Sequence, residues 1–177
     1  MFSYVGNKLH AEGVPVRSIA GKCGTPLYVY SQAQLAANFG SFDRAFVRFP
    51  HLICYALKAN SNLSVARALA QEGAGTDIVS GGELYRALLA GFPPRKIVFS
   101  GVGKTREEIR KALDSGILIF NVESLEELET LNEVAGSMKK KAPISLRVNP
   151  DVQADTHHHI TTGTAENKFG IHNKYIF

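Results

Sequence analysis

The chain has 177 residues, of which 45% are apolar, and a formal net charge of +4 at pH 7. This composition supports a folded core and excludes a disordered or strongly basic nucleic-acid-binding chain. Two cysteines, no export signal and no long apolar run predict a reduced cytoplasmic setting without a disulfide framework or a membrane anchor.

The N-terminal region, residues 1–30, is predicted to form a short β element that precedes the rest of the fold. Within it, residues 25–30 have the aromatic and β-branched composition of a strand. Ser31 and Gln34 have the spacing of a capping box, which predicts that a helix begins there. The α/β body is therefore expected to start at residue 31.

A strand and helix alternation follows. Short apolar or β-branched runs predict strands at residues 52–56, 76–79, 96–99, 117–120 and 144–148. Capping-box pairs predict helix starts between them, at Ser80 with Glu83, Thr105 with Glu108, and Ser124 with Glu127. Glycines 73, 91 and 116 close helical patterns, and the lysines at 139–141 are interpreted as a solvated helix end. This order predicts a parallel sheet, either an open doubly wound sheet or part of a (β/α)8 barrel.

Lys58 is the residue most suggestive of chemistry, because it follows a buried strand at the edge where such sheets bind ligands. An amine that loses its proton there can attack an aldehyde and form a Schiff base. The alternative is a lysine that only reaches out to solvent. Position alone leaves the two interpretations open.

The segment Tyr55-Ala56-Leu57-Lys58-Ala59-Asn60 resembles the cofactor-lysine motif of fold-type III pyridoxal-phosphate enzymes, which include alanine racemases and amino-acid decarboxylases. Residues 73–84, 147–151 and 166–171 are similar to the diaminopimelate decarboxylase family. The resemblance covers residues 25–171 and corresponds to the N-terminal portion of that family.

The resemblance implies a partial (β/α)8 TIM barrel of the alanine racemase-like type. Residues 1–30 would belong to the β-rich domain, and residues 31–177 would form the first part of the barrel that binds pyridoxal 5'-phosphate. The rest of the barrel, the C-terminal β domain and the substrate-binding residues are expected beyond Phe177. A homodimer is implied, in which a second subunit completes the active site, and this chain alone would be inactive.

The implied activity is decarboxylation of meso-2,6-diaminopimelate, a small amino-acid substrate, to L-lysine and carbon dioxide. Lys58 would be the catalytic lysine that holds the cofactor, and Ala56, Asp77 and Arg147 would also bind it. Asp77 could instead cap the turn at Ser80, and Arg147 could belong to a structural ion pair. A carrier or regulatory protein without turnover and an amino-acid racemase are the alternatives.

Two further motifs are interpreted as structural. Three adjacent histidines, His157, His158 and His159, cannot all converge on one ion, so a loop over the active site is expected and no metal site is predicted. The segment 101–105 resembles the end of a phosphate-binding P-loop, but Val98 stands where the first glycine should be. Thr105 is therefore predicted to be a helix cap.

Overall fold

A three-stranded antiparallel sheet begins the computed structural model, which describes residues 1–150 and 170–172. Its strands are β1 (Phe2–Val5), β2 (Lys8–Ala11) and β3 (Val14–Pro15), paired in that order. Helix α1 (Val16–Cys23) follows directly. The predicted short N-terminal β element is thus present, but part of residues 1–30 is helical.

The strand predicted at residues 25–30 is wrong, since these described residues have no strand assignment. Their aromatic composition suggested burial, yet Tyr28 is 91% exposed. Pro26 has no amide hydrogen to donate to a neighbouring strand. Local composition alone could not supply the hydrogen-bonded partner that a strand requires.

Helix α2 (Gln32–Ala45) begins where predicted and is joined to the N-terminal sheet. The Ser31 hydroxyl accepts a hydrogen bond from the Gln34 amide at 3.0 Å and donates one to the Glu12 carboxylate at 2.9 Å. The same carboxylate accepts from the Ala33 amide at 3.0 Å. The hydrogen bonds from Ala33 and Ser31 hold the pKa of Glu12 below its usual range, so the charged carboxylate helps to start the helix.

A parallel sheet in the strand order β4-β5-β6-β7-β8 forms the body of the described chain. Each strand pairs with the next one along the sequence. The predicted runs overlap all of these strands, with boundaries that differ by about two residues. The strands are β4 (Cys54–Ala56), β5 (Gly75–Ile78), β6 (Ile97–Phe99), β7 (Ile119–Val122) and β8 (Ile144–Leu146). A separate parallel pair joins β9 (Val148–Asn149) to β10 (Ile171–His172).

Helices connect successive strands of this sheet, as parallel pairing requires. They are α3 (Leu63–Gln71), α4 (Gly81–Ala90), α5 (Arg106–Ser115) and α6 (Leu125–Ser137), with short 3-10 turns at Leu57–Ala59 and Pro94–Lys96. The buried faces of the helices, for example Leu84, Ile109 and Leu131, join the same hydrophobic cluster as Phe99 and Phe120 of the sheet. Within the described ranges, no helix is long and apolar enough to cross a membrane.

The predicted capping boxes differ from one another in the amide that the glutamate binds. At Thr105 the box is reciprocal, because the Glu108 carboxylate accepts from the Thr105 amide. The hydroxyls of Ser80 and Ser124 also accept from the third helical amide, but Glu83 and Glu127 accept from the amides of Val79 and Glu123, one residue before the cap. Both serines have a more extended φ (−158° and −151°) than Thr105 (−81°), which turns their own amides away from the glutamate.

Candidate active site

Residues that end or follow the strands of the parallel sheet surround a cavity of about 410 Å³ at its carboxyl edge. This is the edge at which βα folds bind ligands, and the volume suits a small molecule. Each βα unit supplies part of the lining, which consists of Lys58, Asp77, Val79, Ser100, Gly101, Val102, Gly103, Glu123 and Arg147. The cavity therefore brings together three of the four predicted site residues.

Lys58 lies in the 3-10 turn that follows β4, two residues beyond the strand end at Ala56. Leu57 anchors the turn, because its side chain is fully buried. The Tyr55 hydroxyl closes the turn by donating to the Asn60 carbonyl at 3.1 Å. The fixed turn leaves the Lys58 side chain exposed to the cavity.

Ala56 and Asp77 are register partners on the neighbouring strands β4 and β5. The small side chain of Ala56 is half-buried, and Ala56 is not among the described residues that line the cavity. Ala56 thus lies beside one lining residue and two positions before Lys58. Its assignment to cofactor binding stays a prediction.

Asp77 accepts a hydrogen bond from the Ser100 hydroxyl at 2.5 Å, and that hydroxyl accepts one from the Asn121 side-chain amide at 2.9 Å. These bonds cross three adjacent strand ends and orient the Asp77 carboxylate. Burial, and secondarily the charge of Asp77, raises the pKa of the Cys54 thiol. The cap of α4 is provided by Ser80, so the alternative role of Asp77 as a cap is not needed.

Glu123, which follows β7, connects two parts of the cavity wall. Its carboxylate accepts from the Gly101 amide at 2.8 Å and from the Arg147 guanidinium at 3.0 Å. Arg147 lies between β8 and β9, so it is not inside a continuous strand as the sequence suggested. Arg147 thus pairs with a buried carboxylate, as the alternative of an ion pair required, and it also borders the cavity.

The backbone of Arg147 is held by the end of the 166–171 motif. The Ile171 amide donates to the Arg147 carbonyl at 2.7 Å. Gly170 has φ +84°, and a Cβ atom there would lie 3.0 Å from that carbonyl oxygen. A glycine is therefore required at this close approach. Residues 166–169 of the motif and His157, His158 and His159 lie outside the described residues.

Sequence reasoning missed Ser100, Asn121, Glu123 and Lys104. Ser100 and Glu123 directly follow strands β6 and β7, so their positions at the carboxyl edge were a usable signal. Lys104 donates to the carbonyls of Gly101 and Asn121 and to the Glu127 carboxylate. Its neighbour Thr105 is the predicted helix cap, which is confirmed.

Other parts of the described chain are less suited to be a functional site. A cavity of about 210 Å³ lies near the amino ends of β7 and β8, where Gly116, Ile117 and Pro143 line it together with basic side chains. Residues at that edge of a βα fold usually serve stability. Among the described residues, no cluster of three or more His, Cys, Asp or Glu side chains is suited to hold a metal ion.

This chain resembles known proteins over most of its length. Residues 32–175 match the family described as pyridoxal-dependent decarboxylase, pyridoxal binding domain. A diaminopimelate decarboxylase from Pseudomonas aeruginosa is 58% identical over 170 residues, which are 96% of this chain and 41% of the relative. The chain thus spans about two fifths of the length of the curated relatives it matches.

Solved structures show the same fold. A diaminopimelate decarboxylase from Helicobacter pylori, complexed with L-lysine, superposes with a TM-score of 0.87 at 47% identity, covering 91% of this chain and 41% of that one. One from M. jannaschii, also in complex with L-lysine, gives a TM-score of 0.91 at 40% identity, with coverages of 99% and 42%. The parallel sheet is therefore part of a TIM barrel, as the resemblance implied, and not an open doubly wound sheet.

Proposed function

Because this chain belongs to the pyridoxal-dependent decarboxylases, within their pyridoxal binding domain, we propose that its cavity holds pyridoxal 5'-phosphate and that Lys58 binds the cofactor covalently. The observation that carries this proposal is the convergence of Lys58, Asp77 and Arg147 around one cavity. These residues are 89 positions apart in sequence from first to last (147 minus 58) and meet only through the parallel sheet.

The residues of the cavity suit such a cofactor. The Lys58 amine is exposed to the cavity and can react with an aldehyde. Arg147 borders the cavity with a cationic guanidinium, a group suited to binding an anionic oxygen. Asp77 can balance a positive charge formed at the Lys58 nitrogen. Three groups of the bound ligand thus have a matching residue. The lysine matches the aldehyde, the carboxylate matches the positive charge at the lysine nitrogen, and the guanidinium matches an anionic oxygen.

The contribution of each residue to the reaction follows from its position. Lys58 would hold the cofactor, release it to the amine of the substrate and recapture it afterwards. When bound, pyridoxal phosphate supplies a conjugated ring that takes up the electrons released as carbon dioxide leaves. Asp77, fixed by Ser100, would hold negative charge beside the reacting nitrogen throughout. Arg147, fixed by Glu123, would keep the ring from shifting in the cavity.

The proposed reaction of the full-length protein is decarboxylation of meso-2,6-diaminopimelate to L-lysine and carbon dioxide. Curated relatives with more than half of their aligned residues identical are named diaminopimelate decarboxylase. Two similar structures were solved with L-lysine, which is the expected product. These names support the substrate, while the cavity supports the cofactor.

We further propose the setting in which the protein acts. It would be a cytoplasmic enzyme of lysine biosynthesis, and it would work as a homodimer in which the second subunit completes the active site. Residues 1–30 would contribute to a β-rich domain, and residues 31–177 would form the first part of the barrel. The antiparallel sheet of β1, β2 and β3 supports this division.

Borohydride reduction tests the cofactor site in the full-length protein. Reduction of the cofactor-loaded protein should fix a pyridoxyl group on Lys58, which peptide mass spectrometry would locate. Lys58→Ala should remove the label, and Lys111→Ala, on the exposed face of α5, should retain it. Labelling of Lys104 or Lys168 in place of Lys58 would contradict the assignment.

A turnover assay separates the candidate activities. Carbon dioxide release from meso-diaminopimelate with formation of L-lysine, and little turnover of lysine, ornithine or arginine, is expected. Dominant racemisation of alanine would favour the racemase. Stable cofactor binding without turnover of any of these amino acids would favour a carrier or regulatory protein.

A further inference from the structure

The ammonium group of Lys104 is buried behind the wall of the candidate active site, with its side chain 1% exposed. It donates to the Gly101 carbonyl at 2.7 Å, the Asn121 carbonyl at 2.8 Å and the Glu127 carboxylate at 2.6 Å. An ammonium group has three donors, and all three are used. A buried charge with these bonds is fixed in place, because any movement would leave it unpaired.

The two carbonyl partners show what Lys104 holds together. Gly101 begins the loop 101–103, and every residue of this loop lines the cavity. Asn121 belongs to β7, and its side chain donates to Ser100, which in turn donates to Asp77. Lys104 therefore fastens the loop after β6 to the neighbouring strand at the level of the cavity.

Glu127 extends the connection from Lys104 toward Arg147. The second oxygen of its carboxylate accepts from the Glu123 amide at 3.1 Å. The Glu123 carboxylate then accepts from the Gly101 amide and from Arg147. The result is a continuous network of two cations and two carboxylates that ends at the cavity.

We propose that Lys104 is a positioning residue of the cofactor site, a role that rests on the cofactor binding proposed above. It keeps the loop 101–103 in place and, through Glu127 and Glu123, holds the Arg147 guanidinium at the cavity. Lys104 is not among the described residues that line the cavity, so it acts through these neighbours. A purely structural ion pair would stabilise the fold without affecting the affinity for the cofactor.

Two variants of the full-length protein separate these roles. Lys104→Met keeps the length and the apolar stem of the side chain but removes all three donors. It also leaves the Glu127 carboxylate without its cation, which is expected to lower the melting temperature. The double variant Lys104→Met/Glu127→Gln removes both charges and keeps an acceptor for the Glu123 amide. Lys111→Met is the matched control, since it breaks an exposed ion pair with Glu107 on α5.

The measurement is the dissociation constant for pyridoxal phosphate added to the cofactor-free protein, followed by absorbance, together with the melting temperature of the same samples. In the double variant the melting temperature should recover toward that of the wild type. The dissociation constant should stay raised by about tenfold, the effect of losing about one hydrogen bond. Lys111→Met should change neither quantity.

The outcomes are distinct. A double variant that recovers both its melting temperature and a dissociation constant within about twofold of the wild type, which is the usual scatter of independent effects, would overturn the positioning role. Wild-type protein that binds no pyridoxal phosphate would overturn the proposed function itself, and this role with it. A raised dissociation constant in a variant of normal melting temperature would establish the role.

Discussion

The side chain of Glu123 is 1% exposed, whereas the side chain of its partner Arg147 is 42% exposed, and 3.0 Å separates the bonded oxygen and nitrogen atoms. The pair thus has one member inside the protein and one at the surface of the cavity. A buried carboxylate needs a partner far more than an exposed guanidinium does. The ion pair with the buried Glu123 carboxylate therefore holds Arg147 at the cavity.

Arg147→Met is expected to lower the free energy of unfolding by about 2 kcal/mol, because the Glu123 carboxylate loses its cation while it stays buried. The double variant Arg147→Met/Glu123→Gln should recover most of this loss. Urea denaturation of the full-length protein measures both. Arg106→Met is the control, since Arg106 and Glu133 form an exposed pair worth less than about 1 kcal/mol. An equal loss in the control and in Arg147→Met would contradict the interpretation.

In the full-length protein, Asp77→Asn should reduce the proposed turnover of diaminopimelate by more than about tenfold while the melting temperature changes little. The asparagine oxygen can still accept from Ser100, but the negative charge that we propose balances the Lys58 nitrogen is lost. Steady-state kinetics and calorimetry on the same preparation test this. Normal turnover with a large loss of stability would show that Asp77 has a structural role instead.

Gly101→Ala is expected to destabilise the protein by about 1–2 kcal/mol and to weaken cofactor binding. Gly101 has φ +95°, and a Cβ atom there would lie 3.3 Å from Cβ of Val79, another residue of the cavity wall. Gly103→Ala is the matched control in the same loop, because a Cβ atom at Gly103 would meet no atom within 4 Å. Denaturant titration should separate the two, and equal effects would argue against strain at Gly101.

We expect Glu108 to contribute to the loss of folding stability at low pH. Burial raises the pKa of Glu108, but hydrogen bonds from the Gly81 amide and from Thr105 outweigh it and hold the pKa below its usual range. A carboxyl group whose pKa is lower in the folded state stabilises the fold above its unfolded pKa, and this contribution is lost as the pH falls through the folded value. Glu108→Gln should therefore lose less stability than the wild type between about pH 5 and pH 3. Melting temperatures measured across this interval provide the test, and parallel curves would contradict it.

Local sequence patterns were sufficient for the βα units. The alternation of apolar runs and caps located β4 to β8 and the starts of α4, α5 and α6, because strand burial and helix capping depend on nearby residues. The meeting of Lys58, Asp77 and Arg147 followed from a simple rule, that the carboxyl ends of parallel strands lie at one edge.

Other features depend on contacts between units. Glu123 pairs with Arg147, 24 positions away, and Lys104 pairs with Glu127, 23 positions away. The position of Glu123 after a strand and the capping-box spacing of Glu127 could be identified from the sequence, but these ion pairs could not, since the packing of neighbouring units determines them. The strand predicted at residues 25–30 was wrong for a related reason. A composition typical of strands does not produce a strand where no neighbouring strand pairs with it.

The cavity wall takes one part from each βα unit, so it is intact only when all of these units are folded together. A ligand that binds this wall must stabilise every unit against local opening by the same binding free energy, whichever unit opens first. Amide hydrogen exchange should then slow in β4 through β8 alike when the cofactor binds, including amides far from any contact with it. The N-terminal sheet of β1, β2 and β3 supplies no wall residue, so its exchange rates should change least.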